Sequence, residues 1–539
     1  MQDLEIEEID NFAKSDILEI KEFEGVTIDA VGKVPASPKA AKSRMVMGSG
    51  LGNLSAQSHA LREMPPPDFN TENYDLINEN EFLMTRTNPL STFSIDVDAA
   101  SYANVRRFIN DNRLPPKDAV RIEELINYFT YDYPQPEGKH PFSITTELSE
   151  CPWQKTHHLL HIGLQGKKMD LEKLPPSNLV FLLDVSGSMD YPNKLPLLKS
   201  SFKLLVNQLR NLDRVSIVVY AGAAGCVLEP TPGDEKQKIL DAIDRLQAGG
   251  STAGGAGILL AYNKAKENFV KNGNNRVILA TDGDFNIGVS SDAELVRLIE
   301  DKREAGIFLT VLGFGMGNYK DSRMEKLADK GNGNYAYIDN ILEAKKVLVS
   351  EMGGTLFTIA KDVKIQIEFN PAKIQAYRLI GYENRKLQAE DFHDDKKDAG
   401  ELGAGHSVTA LYELIPVGVK VDLPKVDDLK YQQSKISDEA ASSDELLTIK
   451  LRYKQPDEST SKLIEQGLAD NLIKPNKTSD NFRFSSAVAG FGMLLRDSEF
   501  KGDLTFEEVA RLAKNALGED KQGYRHEFLK LVEKSELLK

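Results

Sequence analysis

The run Asn178-Leu179-Val180-Phe181-Leu182-Leu183-Asp184-Val185-Ser186-Gly187-Ser188 decides the fold. Its apolar part, Leu179 to Leu183, is too short to cross a membrane and too continuous for a strand with one wet face. It predicts a strand covered by helices on both sides. Three similar runs follow: Val215-Ser216-Ile217-Val218-Val219, Val277-Ile278-Leu279-Ala280 and Phe308-Leu309-Thr310-Val311-Leu312. Between them Leu195, Leu198, Phe202 and Leu205, then Ile239, Ile243 and Leu246, recur at helical spacing. This β-α alternation predicts an α/β domain, a doubly wound parallel sheet, over residues 176–350.

Ligands of open α/β sheets bind beyond the C-terminal ends of the strands, where loops and helix N-termini converge. Asp184-x-Ser186-x-Ser188 falls at that edge. So do Gly249-Gly250-Ser251-Thr252, a tight loop before a helix, and Thr281-Asp282-Gly283, which ends the strand beginning at Val277. Asp184 and Asp282 supply carboxylates; Ser186, Ser188 and Thr252 supply hydroxyls. Hard oxygen donors of this kind suit Mg²⁺ or Mn²⁺, with Ca²⁺ as the alternative. Hydroxyls keep the set less negative than a cage of carboxylates, so a bound ion stays electrophilic toward an outside carboxylate. Gly187, Met189, Gly250, Ser251 and Asp284 are then the positions near an incoming partner. The plainer role for Asp184 is capping the helix expected from about Asn193. Asp284 and Asn286 read as solvated loop residues.

The constellation resembles the metal-ion-dependent adhesion site of von Willebrand factor type A domains, whose pattern is D-x-S-x-S, a distant Thr and a later Asp. That resemblance implies that Ser186, Ser188 and Thr252 ligate the ion through hydroxyls. It implies that Asp184 and Asp282 act directly or through water, and that a partner's Glu or Asp completes the coordination. Ser94-Ile95-Asp96-Val97-Asp98, Asn104-Val105-Arg106-Arg107-Phe108, Arg121-Ile122-Glu123-Glu124-Leu125-Ile126-Asn127-Tyr128 and Asp132-Tyr133-Pro134 are similar to the N-terminal flank of the bacterial YfbK-like subfamily. Asn332-Gly333-Asn334-Tyr335-Ala336-Tyr337-Ile338-Asp339 and the segment 356–539 are similar to its centre and C-terminal flank.

The rest of the chain frames this domain. With 539 residues, about three to four domains are expected. Residues 1–72 read as an acidic segment and a Pro-, Ala-, Ser- and Gly-rich linker, and 73–175 as an α+β lead-in. Alternating runs such as Val363-Lys364-Ile365-Gln366-Ile367 and Leu446-Leu447-Thr448-Ile449-Lys450-Leu451 make 351–480 β-rich, with a loop over Asp427 to Asp444. Helices are expected over 481–539. Strands near 140–170 and beyond 360 predict one β domain with the α/β domain inserted in it.

Lys and Arg number 67 against 82 Asp and Glu, and a net charge of −15 argues against nucleic acid or anionic lipid as partner. Two cysteines build no disulfide scaffold. No run approaches a membrane span. A leader or lipid-anchor peptide removed upstream would leave no trace, and the resemblance favours an extracytoplasmic setting, periplasmic or at the cell surface. His157 and His161 share one face of a strand, read here as a solvated sheet surface. No His, Lys or Cys lies close to Asp184 in sequence, and no G-x-S-x-G occurs, so no activated nucleophile is expected. The expectation is a non-enzymatic, metal-dependent binder of a protein partner. An assembly factor working with an AAA-type ATPase is the alternative, and a metallohydrolase the third.

Overall fold

A computed structural model describes residues 72–539, apart from 253, 284, 286–291, 318 and 421–434. Asp284 and Asn286, and residues 427–434 of the expected Asp427 to Asp444 loop, thus lie outside the described residues; the described remainder holds the short helix Asp438–Ser442, capped by the Ser437 hydroxyl, where a loop is expected.

The central sheet has six strands in the order Tyr335–Ile338, Ile307–Phe314, Asn274–Thr281, Ser177–Asp184, Arg214–Tyr220 and Ala224–Pro232. The first five run parallel; the edge strand Ala224–Pro232 runs antiparallel to its neighbour. Every residue of Ser177–Asp184 is buried. Leu179, Phe181 and Leu183 face the helices Leu195–Gln208 and Lys236–Asp244. Val180 and Leu182 face Gly254–Glu267, Asp292–Glu304 and Asp321–Lys330. The continuous apolar run therefore has a direct physical cause: successive side chains alternate between two covered faces.

The flanks form a β-sandwich. One sheet has the order Leu83–Met84, Ile374–Ile380, Ser407–Pro416, Gln154–Gly166 and Phe142–Cys151. The other has the order Lys386–Leu387, Leu90–Ser94, Thr358–Phe369, Glu445–Lys454 and Lys462–Ala469, with Gly400–Gly403 added beside Thr358–Phe369. Phe93, Ile162, Ile365, Phe369, Tyr377, Tyr412 and Ile449 from both sheets fill the space between them. The chain leaves this sandwich after Gly166, builds the α/β domain, and returns at Thr358, so the α/β domain is an insertion. The strand Leu90–Ser94 ends before Ile95 to Asp98, although the apolar-polar alternation of Ser94 to Asp98 is itself strand-like. Asp96 and Asp98 there receive Arg385 rather than continuing a ladder.

A second core lies on the outer face of the first sandwich sheet. The C-terminal helices Asp480–Arg496, Phe506–Lys514 and Tyr524–Leu538 pack there with Ala100–Asn110 and Ile122–Asn127, through Tyr102, Leu125, Phe484, Phe491 and Phe528. This overturns the reading of His157 and His161 as a solvated surface. Both are buried, His157 against Glu413 Oε1 at 2.5 Å and His161 between Tyr133 Oη at 2.7 Å and Ser485 Oγ at 3.0 Å. Burial pushes the His161 imidazole down to about 3, so it is a neutral hydrogen-bonding group.

Three arginines, Arg106 and Arg121 buried and Arg385 half-buried, clasp the inserted domain to its flanks. Arg106 reaches Asp339 and Glu343, Arg121 reaches Asp321 and Glu325, and Arg385 reaches Glu325 and Asp329. The first two arginines also bind flank carboxylates, Glu527 and Glu124, so each guanidinium is shared across the seam.

Candidate functional site

The strand Ser177–Asp184 delivers Asp184 to the sheet edge with its carboxylate fully buried. Oδ1 accepts the Ser186 backbone N–H at 2.9 Å, while Oδ2 accepts the Tyr220 hydroxyl at 3.0 Å and the Thr281 hydroxyl at 3.2 Å. Asp184 thus anchors its own turn and does not cap the following helix, which begins only at Leu195. Burial, opposed by the hydrogen bonds from Ser186 and Tyr220 and assisted by the charge of Asp282, pushes the Asp184 carboxyl up to about 6.

The turn after Asp184 places Ser186 and Ser188 side by side, Oγ to Oγ 3.0 Å. Ser186 is buried and Ser188 half-buried. The Gly249–Thr252 loop docks onto this turn through its backbone. Gly249 N–H donates to Val185 C=O at 2.8 Å, and Gly187 N–H donates to Gly250 C=O at 3.0 Å. Half-buried Thr252 follows in that loop. Gly250 has φ +79, which an L side chain resists, and a Cβ there would stand 3.0 Å from Gly222 N.

Asp282 follows the strand Asn274–Thr281 and is fully buried. Gly283 turns the chain at φ +96 with its N–H on Thr281 Oγ1, and a Cβ there would meet Lys320 N at 2.7 Å. Lys194 Nζ reaches Asp282 Oδ2 at 2.8 Å. The sequence reading found no lysine close to the site; Lys194 lies ten residues beyond Asp184 and its side chain folds back to it. Tyr220 and Thr281 also belong to the site: Tyr220 lies inside an apolar strand and carries no sequence signal, and Thr281 reads only as the residue before Asp282.

Of the positions named near a partner, Gly187, Gly250 and Ser251 are exposed. Met189 is not: it is fully buried with Leu195, Leu198 and Phe202, because the turn points its side chain into the core. Among the described residues, Tyr191 and Met316 expose apolar groups here instead.

Two buried carboxylates and paired hydroxyls gathered from three loops are a donor set for a hard cation. An ammonium on Asp282 already marks the place as one that favours positive charge. Asp184, Ser186, Ser188, Thr252 and Asp282 are the residues that could hold such an ion. When bound, it supplies an electrophilic centre for an outside oxygen.

The sheet order and this edge define a von Willebrand factor type A domain, and the family model "von Willebrand factor type A domain" matches residues 178–348. A model described as "von Willebrand factor" matches 68–161, and one described as "Uncharacterized protein YfbK, C-terminal" matches 354–538. The chain belongs to the YfbK family: it is 45% identical over 470 residues to "Uncharacterized protein YfbK" of Escherichia coli (strain K12), covering 86% of this chain and 81% of that protein. It is also 27% identical over 227 residues to the "Magnesium-chelatase 67 kDa subunit" of Chlorobaculum tepidum, 36% of each chain. Among solved structures, "von Willebrand factor type A from Catenulispora acidiphila" is 15% identical and has a TM-score of 0.39, covering 74% of this chain and 92% of its own. Among the described residues no helix is long and apolar enough to cross a membrane.

Proposed function

We propose that this protein is a non-enzymatic module that captures a protein partner through a divalent cation, Mg²⁺ or one of its close substitutes Mn²⁺ and Ca²⁺. Asp184, Ser186, Ser188, Thr252 and Asp282 hold the ion, and the partner supplies a Glu or Asp carboxylate. A type A domain supports protein interaction in general. The observation that carries the finer reading is the convergence of three loops on one edge, two of them locked by the Gly187–Gly250 and Gly249–Val185 backbone bonds. Exposed Gly187, Gly250 and Ser251 leave room for an incoming carboxylate, and Tyr191 and Met316 offer apolar contact around it. The test compares proteins co-purified with wild type and with Asp184→Ala, each with Mg²⁺ and with chelator. A partner retained by wild type with Mg²⁺ alone supports the reading; one retained equally by the variant and in chelator sinks it.

A second reading, assembly work with an AAA-type ATPase, draws on the likeness to a protein that is a subunit of a magnesium chelatase. Complex formation that requires ATP as well as the intact edge favours it.

A further inference from the structure

Lys194 is the residue before the helix Leu195–Gln208, and it is buried at 5% exposure. Buried lysines are rare, because the ammonium gives up strong hydration and the long stem normally carries it to water. This one turns inward. Its Nζ crosses from the first loop of the edge to Asp282 Oδ2 at the end of a different strand. Its stem lies flat on Gly315, just past the strand Ile307–Phe314: a Cβ on Gly315 would overlap Cγ, Cδ and Cε of Lys194. Gly315, at φ +78, is thus the residue that leaves a channel for the lysine, and its carbonyl is held by the Tyr337 hydroxyl at 2.5 Å. On the outer side the Tyr191 ring covers Nζ, 5.6 Å from its centroid. Backbone, aromatic ring and carboxylate together build a seat for one ammonium, and that seat opens on a carboxylate of the proposed ion site.

We propose that Lys194 is a resident cation that competes with the divalent ion for Asp282 and so sets the affinity of the site. The proposal rests on the metal-dependent reading above and adds its regulation. Asp184 and Asp282 are both fully buried, and buried carboxylates brought to one sheet edge repel unless positive charge is near, which Lys194 supplies at Asp282. With Lys194 in its seat the edge keeps its shape without an ion. An incoming divalent ion meets an ammonium already bound to one of its ligands, so it binds more weakly than five oxygen donors alone would hold it. A partner carboxylate that binds the ion then shifts this competition in the ion's favour, coupling ion and partner binding.

The test is calorimetric titration of the full chain with MnCl₂, alongside melting temperature with chelator and with Mn²⁺. Lys194→Met keeps the stem on Gly315 and removes the charge; Lys194→Gln is the second variant. Both are expected to bind Mn²⁺ about tenfold more tightly than wild type. Both should melt lower than wild type in chelator and gain more on adding Mn²⁺. Equal or weaker Mn²⁺ binding by both variants overturns the role of Lys194 and leaves the metal reading standing. Absence of Mn²⁺ binding in wild type and both variants, or binding that survives in Asp184→Ala, overturns the metal reading and this proposal together.

Discussion

Tyr220 lies directly beside Asp184 on the neighbouring parallel strand and donates its hydroxyl to Asp184 Oδ2 at 3.0 Å. Its carbonyl also takes the Val185 N–H at 3.0 Å, so one residue fixes both the carboxylate and the turn that presents Ser186. Carboxylates oriented by such partners bind ions better than free ones. Tyr220→Phe keeps the ring against Phe285, 5.3 Å away, and removes only the hydroxyl. Mn²⁺ affinity is expected to fall about tenfold, measured by titration calorimetry, with the fold intact by circular dichroism. Unchanged affinity would show that Asp184 is held without it.

Arg121 is the joint between flank and inserted domain. Its guanidinium lies 3.0 Å from Glu124 Oε1, 2.9 Å from Asp321 Oδ2 and 2.7 Å from Glu325 Oε2, all buried. Arg121→Met takes the cation from Glu124 and Asp321 and leaves Glu325 to Arg385, at 3.6 Å. Breaking a buried pair costs about 3–5 kcal/mol, and urea unfolding should show a loss of that order. A loss under 1 kcal/mol would mean that about the whole charge is made up elsewhere in the seam.

His161 gives the chain a sensitivity to acid. Its pKa is lowered in the fold, so the unfolded chain binds the proton first as pH falls below about 6.5. The stability contributed by the neutral ring is complete above that value and is lost progressively down to about 3. Relative to pH 8, the loss at pH 5 should be about 2 kcal/mol. His161→Gln is expected to be less stable than wild type at pH 8 and to show a smaller drop by pH 5 in the same denaturation series.

Glu123 acts in the opposite sense. It is buried with Oε2 lacking a hydrogen-bond partner, and burial together with Glu383 pushes its carboxyl up to about 8. A raised acid in the fold means that the native state holds the proton longer than the unfolded chain. Its stabilising contribution is therefore full below about 4.5 and falls as pH rises toward 8. Glu123→Gln should be more stable than wild type by about 1–3 kcal/mol at pH 9, and the gain should vanish near pH 4.5. A gain of the same size at both pH values would trace to packing instead.

Four buried strands of the central sheet are legible because both faces are covered, which leaves a continuous apolar run in the sequence; the equally buried edge strand Tyr335–Ile338 is too short, at four residues, to give one. The two carboxylates are legible because Asp184 and Asp282 fall where such runs end, whereas Thr252 reads only as part of a Gly-rich loop before a helix. The edge strand Ala224–Pro232 is not legible, since it carries Pro230 and Pro232 and is tolerated only because it has a single neighbour. Lys194 reads as an ordinary residue before a helix; its partner Asp282 is 88 positions away, and only the fold joins them. His157 and His161 were correctly placed on one face of a strand, but alternation tells the faces apart and does not say what covers them. The helix Asp480–Arg496, which brings Ser485 onto His161, lies 324 positions downstream at that contact.

The insertion has a consequence for how the chain is made. The hairpin Phe142–Cys151 with Gln154–Gly166 leaves the ribosome early, yet its sheet neighbour Ser407–Pro416 emerges only after the whole α/β unit. During synthesis the strand Gln154–Gly166 waits with an open rim while the intervening unit gains its own two cores. Translation that stalls between Leu356 and Ser407 should accordingly yield nascent chains with a finished α/β unit and a sticky, half-built sandwich, a state for which chaperone capture is the natural safeguard.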